Sequence, residues 1–358
     1  MITEERCKKL LQSAGEVGID AVMIISPINR TYFSGFTGSN GVLLITERSR
    51  ILFTDFRYTI QAKEQTGGVF EVREVSGPIS YELISAELEK QNCVNCGYEE
   101  DFMTVRQYAQ YRKMKAEMNA VTSIISSIRM VKTEDEIEKL IAAQNIADRA
   151  FGELLGMLQP GMTEREVAME LEYFMKKFGA DEPSFDTIVG SGPNGALCHA
   201  MPSDRKLTHG DMVVIDFGAR KDGYCSDMTR TIAIGEPCEE LQKIYKIVRE
   251  AQALTLRGVK PGMEGKKLDA IARDCITARG YGDCFGHSLG HGFGLEVHEG
   301  PAASVRSVDV LRPGNTITVE PGIYVEGLGG VRIEDCLIVT ETGFINPVTT
   351  TKDLIIIE

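Results

Sequence analysis

The chain has 358 residues, 43% hydrophobic and 25% charged, too long for one average domain and able to bury a large core without staples. Lys and Arg number 39 against 52 Asp and Glu, a formal net charge of −13 that excludes the basic footprint of a nucleic-acid binder, while the hydrophobic share excludes a disordered chain. No apolar run reaches the roughly 18 residues of a membrane span, and Met1-Ile-Thr-Glu-Glu-Arg6 is acidic where a secretory signal is basic and then apolar, so a soluble cytoplasmic protein is expected.

Residues 1–128 read as a small α/β domain. Leu10 to Val17 has helical character. Ala21-Val-Met-Ile-Ile-Ser26, Gly41-Val-Leu-Leu-Ile-Thr46 and Arg50-Ile-Leu-Phe-Thr54 are apolar runs of strand length, the last two joined by a turn at Glu47-Arg48-Ser49. Arg57 to Gln65 and Tyr81 to Gln91 read as helices, with Val69 to Val75 extended between them. Cys93-Val-Asn-Cys96 is the one Cys-x-x-Cys pair among nine scattered cysteines. No second pair or nearby His completes a zinc site, so structural or incidental thiols are expected. From Val105 to about Arg129 the chain reads as helix-rich and links two domains.

Residues 129–358 form the expected second domain. Thr133-Glu-Asp-Glu136 fits a capping box. Behind it Ile137, Leu140, Ile141, Ala147, Phe151, Leu154, Leu155 and Leu158 recur at helical spacing. A short internal repeat follows. Gln159-Pro-Gly-Met162 leads into a helix with Val167, Leu171, Phe174 and Phe178. Lys260-Pro-Gly-Met263 leads into one with Leu268, Ile271 and Ile276. Two related αβ halves, with a ligand site at their interface, are the expectation.

Three segments carry chemistry. Met212-Val-Val-Ile-Asp216 and Asp227-Met-Thr-Arg-Thr-Ile-Ala-Ile234 read as a hairpin. A four-residue loop at Arg220 to Gly223 would set Asp216 opposite Asp227. A two-residue loop at Asp222-Gly223 would pair Asp216 with Thr229. Either register keeps both carboxylates on one face, where a bridging cation relieves their repulsion. Gly286-His287-Ser-Leu-Gly-His291-Gly-Phe-Gly-Leu-Glu296-Val-His298 gathers three of the five histidines in a glycine-rich stretch. Glu320 and Glu334 each sit in an apolar, β-branched run. Arg332 shares a face with Glu334 if the chain is extended. A Glu buried there needs a cation or a metal. His199 lies in a Gly/Pro-rich loop. His209, in Thr208-His-Gly-Asp211, reads as a surface turn residue. Two Asp, two Glu and one His suit two divalent ions better than a cysteine-rich structural zinc. Two such ions sharing one water define hydrolase chemistry.

The constellation resembles the metallopeptidases of the pita-bread fold: methionine aminopeptidase, aminopeptidase P and prolidase, the M24 family. The likeness covers nearly the whole chain. It implies an α/β (α+β) architecture, with a creatinase-like N-terminal domain before the pita-bread domain. Asp216, Asp227, His291, Glu320 and Glu334 match the five metal ligands in their Asp-x10-Asp, Glu-Pro-Gly and Arg-Ile-Glu-Asp contexts. Arg332 and the N-terminal domain, including Asn29-Arg-Thr-Tyr-Phe-Ser-Gly35, point to the Xaa-Pro branch and away from methionine aminopeptidase. The complete ligand set disfavours creatinase and a non-catalytic binding module. The resemblance implies two divalent ions, manganese before cobalt, zinc or iron. The substrate would be a short proline-containing peptide cut before proline by an aminopeptidase or, alternatively, a dipeptidase. Glu320, or else Glu334, would shuttle the proton. His298 and His199 would stabilise the oxyanion or orient the substrate, and His287 and Arg332 would shape the pocket. A homodimer is expected.

Overall fold

The computed structural model describes residues 2–358. The chain divides into two compact units, residues 1–129 and 130–358.

The first unit opens with α1 (Ile2–Gly15), whose first turn carries Glu4 and Glu5. Acids at the positive end of the helix dipole favour a start well before Leu10. After β1 (Ala21–Ile24) comes α2 (Pro27–Ser34). Ser26 caps it by accepting the Asn29 N–H at 3.3 Å, Pro27 presets its first turn, and Gly35 ends it at φ 76°. Then follow β2 (Val42–Thr46), β3 (Arg50–Thr54), α3 (Thr59–Thr66), β4 (Glu71–Glu74), α4 (Tyr81–Gln91), β5 (Asn95–Tyr98), α5 (Val105–Tyr111), β6 (Glu117–Ala120) and α6 (Thr122–Met130). The expected helical run from Val105 to Arg129 is thus corrected: β6 interrupts it, held by parallel pairing to β5. Among the described residues the sheet order is β4-β3-β2-β1-β5-β6. Met23, Leu44, Phe53, Ile84 and Leu88 form its core. All nine cysteines are free thiols, and burial pushes the Cys96 thiol up to about 12, so this pair holds no reactive thiolate.

The second unit is built twice over. α7 (Glu134–Leu155), with the Thr133/Glu136 capping box formed, packs on α8 (Glu164–Lys177). β7 (Glu182–Pro183), β8 (Ile188–Ser191), β9 (Met212–Phe217), β10 (Ala219–Lys221), β11 (Tyr224–Cys225) and β12 (Met228–Ile234) follow. Next, α9 (Glu239–Gly258) packs on α10 (Gly265–Thr277). β13 (Gly290–Gly292), β14 (Glu299–Ala303), β15 (Thr316–Val319), β16 (Gly322–Val325), β17 (Gly329–Arg332), β18 (Asp335–Val339), β19 (Phe344–Ile345) and β20 (Ile356–Ile357) complete it.

The repeat extends to individual hydrogen bonds. The Gly161 N–H donates to Leu207 and the Leu207 N–H to Met162, both at 2.8 Å. In the second half Gly262 donates to Leu311 at 2.8 Å and Leu311 to Met263 at 2.9 Å. Gly161 and Gly262 take φ of 93° and 82°, which only glycine adopts freely. A turn with a side-chain acceptor then launches each key strand. Asp211 accepts from the Thr208 N–H at 2.9 Å before β9, and Asn315 accepts from the Arg312 N–H at 2.7 Å before β15. The core of the second half sets Leu241, Ile244, Val248 and Leu268 against Ile317, Val319, Val331 and Leu337.

Candidate active site

Asp216 is the last but one residue of β9, β15 runs into Glu320, and each strand is half of a hairpin. In the first, Asp222 and Gly223 take φ of 50° and 83°, the paired positive values of a two-residue type I′ turn. Asp216 therefore faces Thr229, the second of the two registers the sequence allowed. The hairpin pauses at Gly218, where an added Cβ would lie 1.9 Å from the Ser226 carbonyl oxygen. Asp227 stands across from that pause and is 4% exposed. In the second hairpin Val319 pairs with Asp335 and Gly322 with Arg332, so Glu320 and Glu334 lie opposite each other where the ladder breaks. Their N–H groups leave the hairpin: Glu320 donates to Leu289 at 3.0 Å and Glu334 to Thr229 at 3.1 Å. Those two bonds tie the second hairpin to the histidine segment and to the first hairpin.

His291 sits between Gly290 and Gly292 on β13. A Cβ on either glycine would meet backbone oxygen at about 2 Å, from Thr318 and from Gly300 respectively, so only glycine lets the strand pass. The Gly292 carbonyl accepts from His291 Nδ1 at 3.0 Å, which places the proton on Nδ1. Burial lowers His291 to about 4, so the ring is neutral near pH 7. Its Nε2 lone pair lies 3.6 Å from Asp227 Oδ2 and 3.4 Å from Glu320 Oε1. Donor atoms of Asp227, His291 and Glu334 all lie within 4.8 Å of one another.

Arg332, 3% exposed, ties the carboxylates together. It donates to Asp216 Oδ2 at 2.6 Å, to the Tyr324 hydroxyl at 2.7 Å and to Thr229 Oγ1 at 3.0 Å. Thr229 Oγ1 in turn donates to Glu334 Oε2 at 2.7 Å. Each of these two carboxylates is left with one buried, unsatisfied oxygen, Asp216 Oδ1 and Glu334 Oε1. Burial raises Asp227 well above the usual carboxylate range, and the charges of Glu334, Asp216 and Glu320 add to it. Burial raises Glu334 likewise, reinforced by Glu320 and Asp216. Burial lifts Glu320 to about 8, with Arg332 opposing. Four carboxylates, one arginine and a neutral imidazole are short of positive charge. The orphaned oxygens and the oxygen-rich donor set fit divalent cations.

These residues line one cavity of about 530 Å³ together with His199, His287 and His298. Every site residue singled out from the sequence is brought there. His209 is exposed in its turn, away from the lining. His298 meets His291 edge-on, ring centroids 4.4 Å apart. His287 Nδ1 donates to the Ser288 carbonyl at 2.8 Å, and Nε2 lies 3.0 Å from the Tyr324 hydroxyl. Thr229 and Tyr324 escaped the sequence reading. The hairpin register facing Asp216 could have flagged Thr229. Tyr324 carried no signal beyond lying four residues after Glu320.

Buried carboxylates and an imidazole converging on an open cavity define a metal-dependent hydrolase. The profile of Metallopeptidase family M24 matches residues 138–341, and that of the Creatinase/Prolidase N-terminal domain matches residues 6–131. An uncharacterized peptidase of Bacillus subtilis is 46% identical, across 98% of this chain and 100% of its own. The structure of a Xaa-Pro dipeptidase from Bacillus anthracis superposes with a TM-score of 0.96 at 43% identity, covering 99% of each chain. That of an X-Pro aminopeptidase from Thermotoga maritima gives 0.90 at 42% identity, over 97% of this chain and 100% of the other. The chain belongs to metallopeptidase family M24. It pairs a creatinase-type N-terminal domain with a pita-bread domain.

Proposed function

We propose that the protein hydrolyses the peptide bond preceding proline at the N-terminus of short peptides, as a Xaa-Pro aminopeptidase. Arg332 is the one cation among the described residues lining the cavity, and it is committed to Asp216 and Tyr324. A strict dipeptidase must recognise the free carboxylate of proline, and the lining offers no arginine or lysine besides Arg332 for it. The likeness to the Bacillus anthracis dipeptidase favours a second reading, a prolidase confined to dipeptides.

Asp216, Asp227, His291, Glu320 and Glu334 would hold two divalent ions, manganese first. When bound, such ions polarise the scissile carbonyl and activate a water. The protein's own groups do the rest. Arg332 and Thr229 each engage one oxygen of a carboxylate and leave the other free to face the cavity. Glu320, at the cavity beside His291, is placed to take up and return a proton. His298 and His199, exposed at the cavity, orient the peptide and meet the developing oxyanion. His287, lowered to about 4 chiefly by burial, stays neutral as a pocket wall. Proline suits such a site because its locked φ and missing N–H present a rigid partner. We place the catalytic domain at residues 129–358, after the N-terminal domain of residues 1–128, and the protein in the cytoplasm as a homodimer.

The test supplies metal-stripped protein with Mn²⁺ and offers a Xaa-Pro dipeptide and a Xaa-Pro-Xaa tripeptide. Release of the first residue from the tripeptide supports the proposal, and cleavage of the dipeptide alone selects prolidase. Metal-dependent cleavage of neither overturns both. Asp227→Asn is expected to lose bound metal and turnover together.

A further inference from the structure

We propose that Lys132 is a positioning residue for His298, acting through Glu299. The proposal rests on the reading of His298 as a group that meets the reacting peptide.

Lys132 and Glu299 form an ion pair, Nζ to Oε2 3.1 Å, with side chains only 1% and 7% exposed. A pair so deeply buried is a weak source of stability, because desolvating both charges offsets their attraction. Its direction is what an apolar pair could not supply. On one side, the polypeptide winds around the Glu299 carboxylate. Oε1 accepts the Glu296 N–H at 3.0 Å, and the Gly294 N–H bonds the Glu296 carbonyl at 2.9 Å. A Cβ at Gly294 would lie 2.8 Å from Glu299 Oε2, so a side chain there would press on the carboxylate. This loop presents Val297 and His298 to the cavity.

On the other side, Lys132 is fixed to the turn that launches β15. Its N–H donates to the Gly314 carbonyl at 2.8 Å, and Asn315 Nδ2 donates to the Met130 carbonyl at 3.0 Å. β15 leads to Glu320. One buried ammonium therefore joins the strand that ends in Glu320 to the loop that carries His298. Its bonds to Glu299 and to Gly314 run beside the metal site, and through Glu299 it sets where His298 stands.

The experiment is a double-mutant cycle on the full-length, Mn²⁺-loaded protein. Lys132→Met is expected to lower kcat about tenfold to a hundredfold, the scale of a small misplacement of a catalytic group, with metal content unchanged. Lys132→Arg should recover most of it. In a His298→Ala background Lys132→Met should cost nothing further. A second readout is the His298 ring resonance in the metal-free protein, which should shift in Lys132→Met. If Lys132→Met fails to fold, Glu299→Gln takes its place in the cycle. Equal losses in both backgrounds, or a lowered melting temperature with kcat intact, overturn the proposal alone. Unchanged turnover in His298→Ala overturns the catalytic reading of His298 and the proposal with it.

Discussion

Arg332 serves Asp216, Tyr324, Thr229 and the Cys198 carbonyl at fixed angles because a guanidinium is a planar fork. Lysine keeps the charge and loses the fork. Arg332→Lys is expected to weaken metal binding about 10- to 100-fold, as loss of such supporting contacts generally does. Calorimetric titration of the metal-free protein reads this directly, and unchanged affinity would refute it. The titrating groups make a second prediction. Asp227, Glu320 and Glu334 all hold their protons more tightly folded than unfolded, Glu320 up to about 8 from an ordinary 4.5. The folded, metal-free protein then binds more protons than the unfolded chain, so its stability falls as pH rises. His287 and His291, lowered from 6.5 to about 4, act oppositely, since their contribution is lost as pH falls through that range. Between pH 6.5 and 8 only the carboxylates act. Denaturant melts of metal-free protein should weaken across that window, and saturating Mn²⁺ should flatten the trend by replacing the protons.

Single elements show what was legible in the sequence. Hairpins were, because alternation and an Asp-Gly turn leave few registers, and two remained for Asp216. The φ of Asp222 and Gly223 decided between them. The acids that line the cavity were legible too, since buried acids in β-branched runs demand an explanation on their own. β6 was not. Glu117-Met-Asn-Ala120 has poor strand propensity, and it is extended because β5 offers it a parallel ladder. α2 was written plainly as Ser26-Pro27 before and Gly35 after, but its eight residues are too few for a clear period. Gly218 carries a prediction at this scale. With a Cβ meeting the Ser226 oxygen at 1.9 Å, Gly218→Ala must push the two hairpin arms apart beside Asp227. A loss of about 2–4 kcal/mol in denaturant melts is expected, with metal affinity falling alongside. A variant as stable as the parent would show that the close approach is unnecessary.

Within residues 130–358, the two halves repeat a helix pair, a Pro-Gly turn and a launching turn, and each delivers two carboxylates. Neither half holds a complete set: Asp216 and Asp227 come from one, His291, Glu320 and Glu334 from the other. Ions held between the halves, as proposed, would bind only the folded state. Mn²⁺ at a hundred times its dissociation constant should therefore add about 2.7 kcal/mol of stability. A thermal scan with and without chelator checks this, and coincident curves would argue against a site shared by the halves.

The same division bears on how the protein is made. Asp216 and Asp227 leave the ribosome about a hundred residues before Arg332 and Glu334. At common elongation rates the first pair of acids waits on the order of ten seconds for its counterparts. Until then two crowded carboxylates have neither their arginine nor a complete cage. If Glu334 is a ligand, loading with metal must wait for it to emerge, and a chain released short of Glu334 should hold its ions poorly.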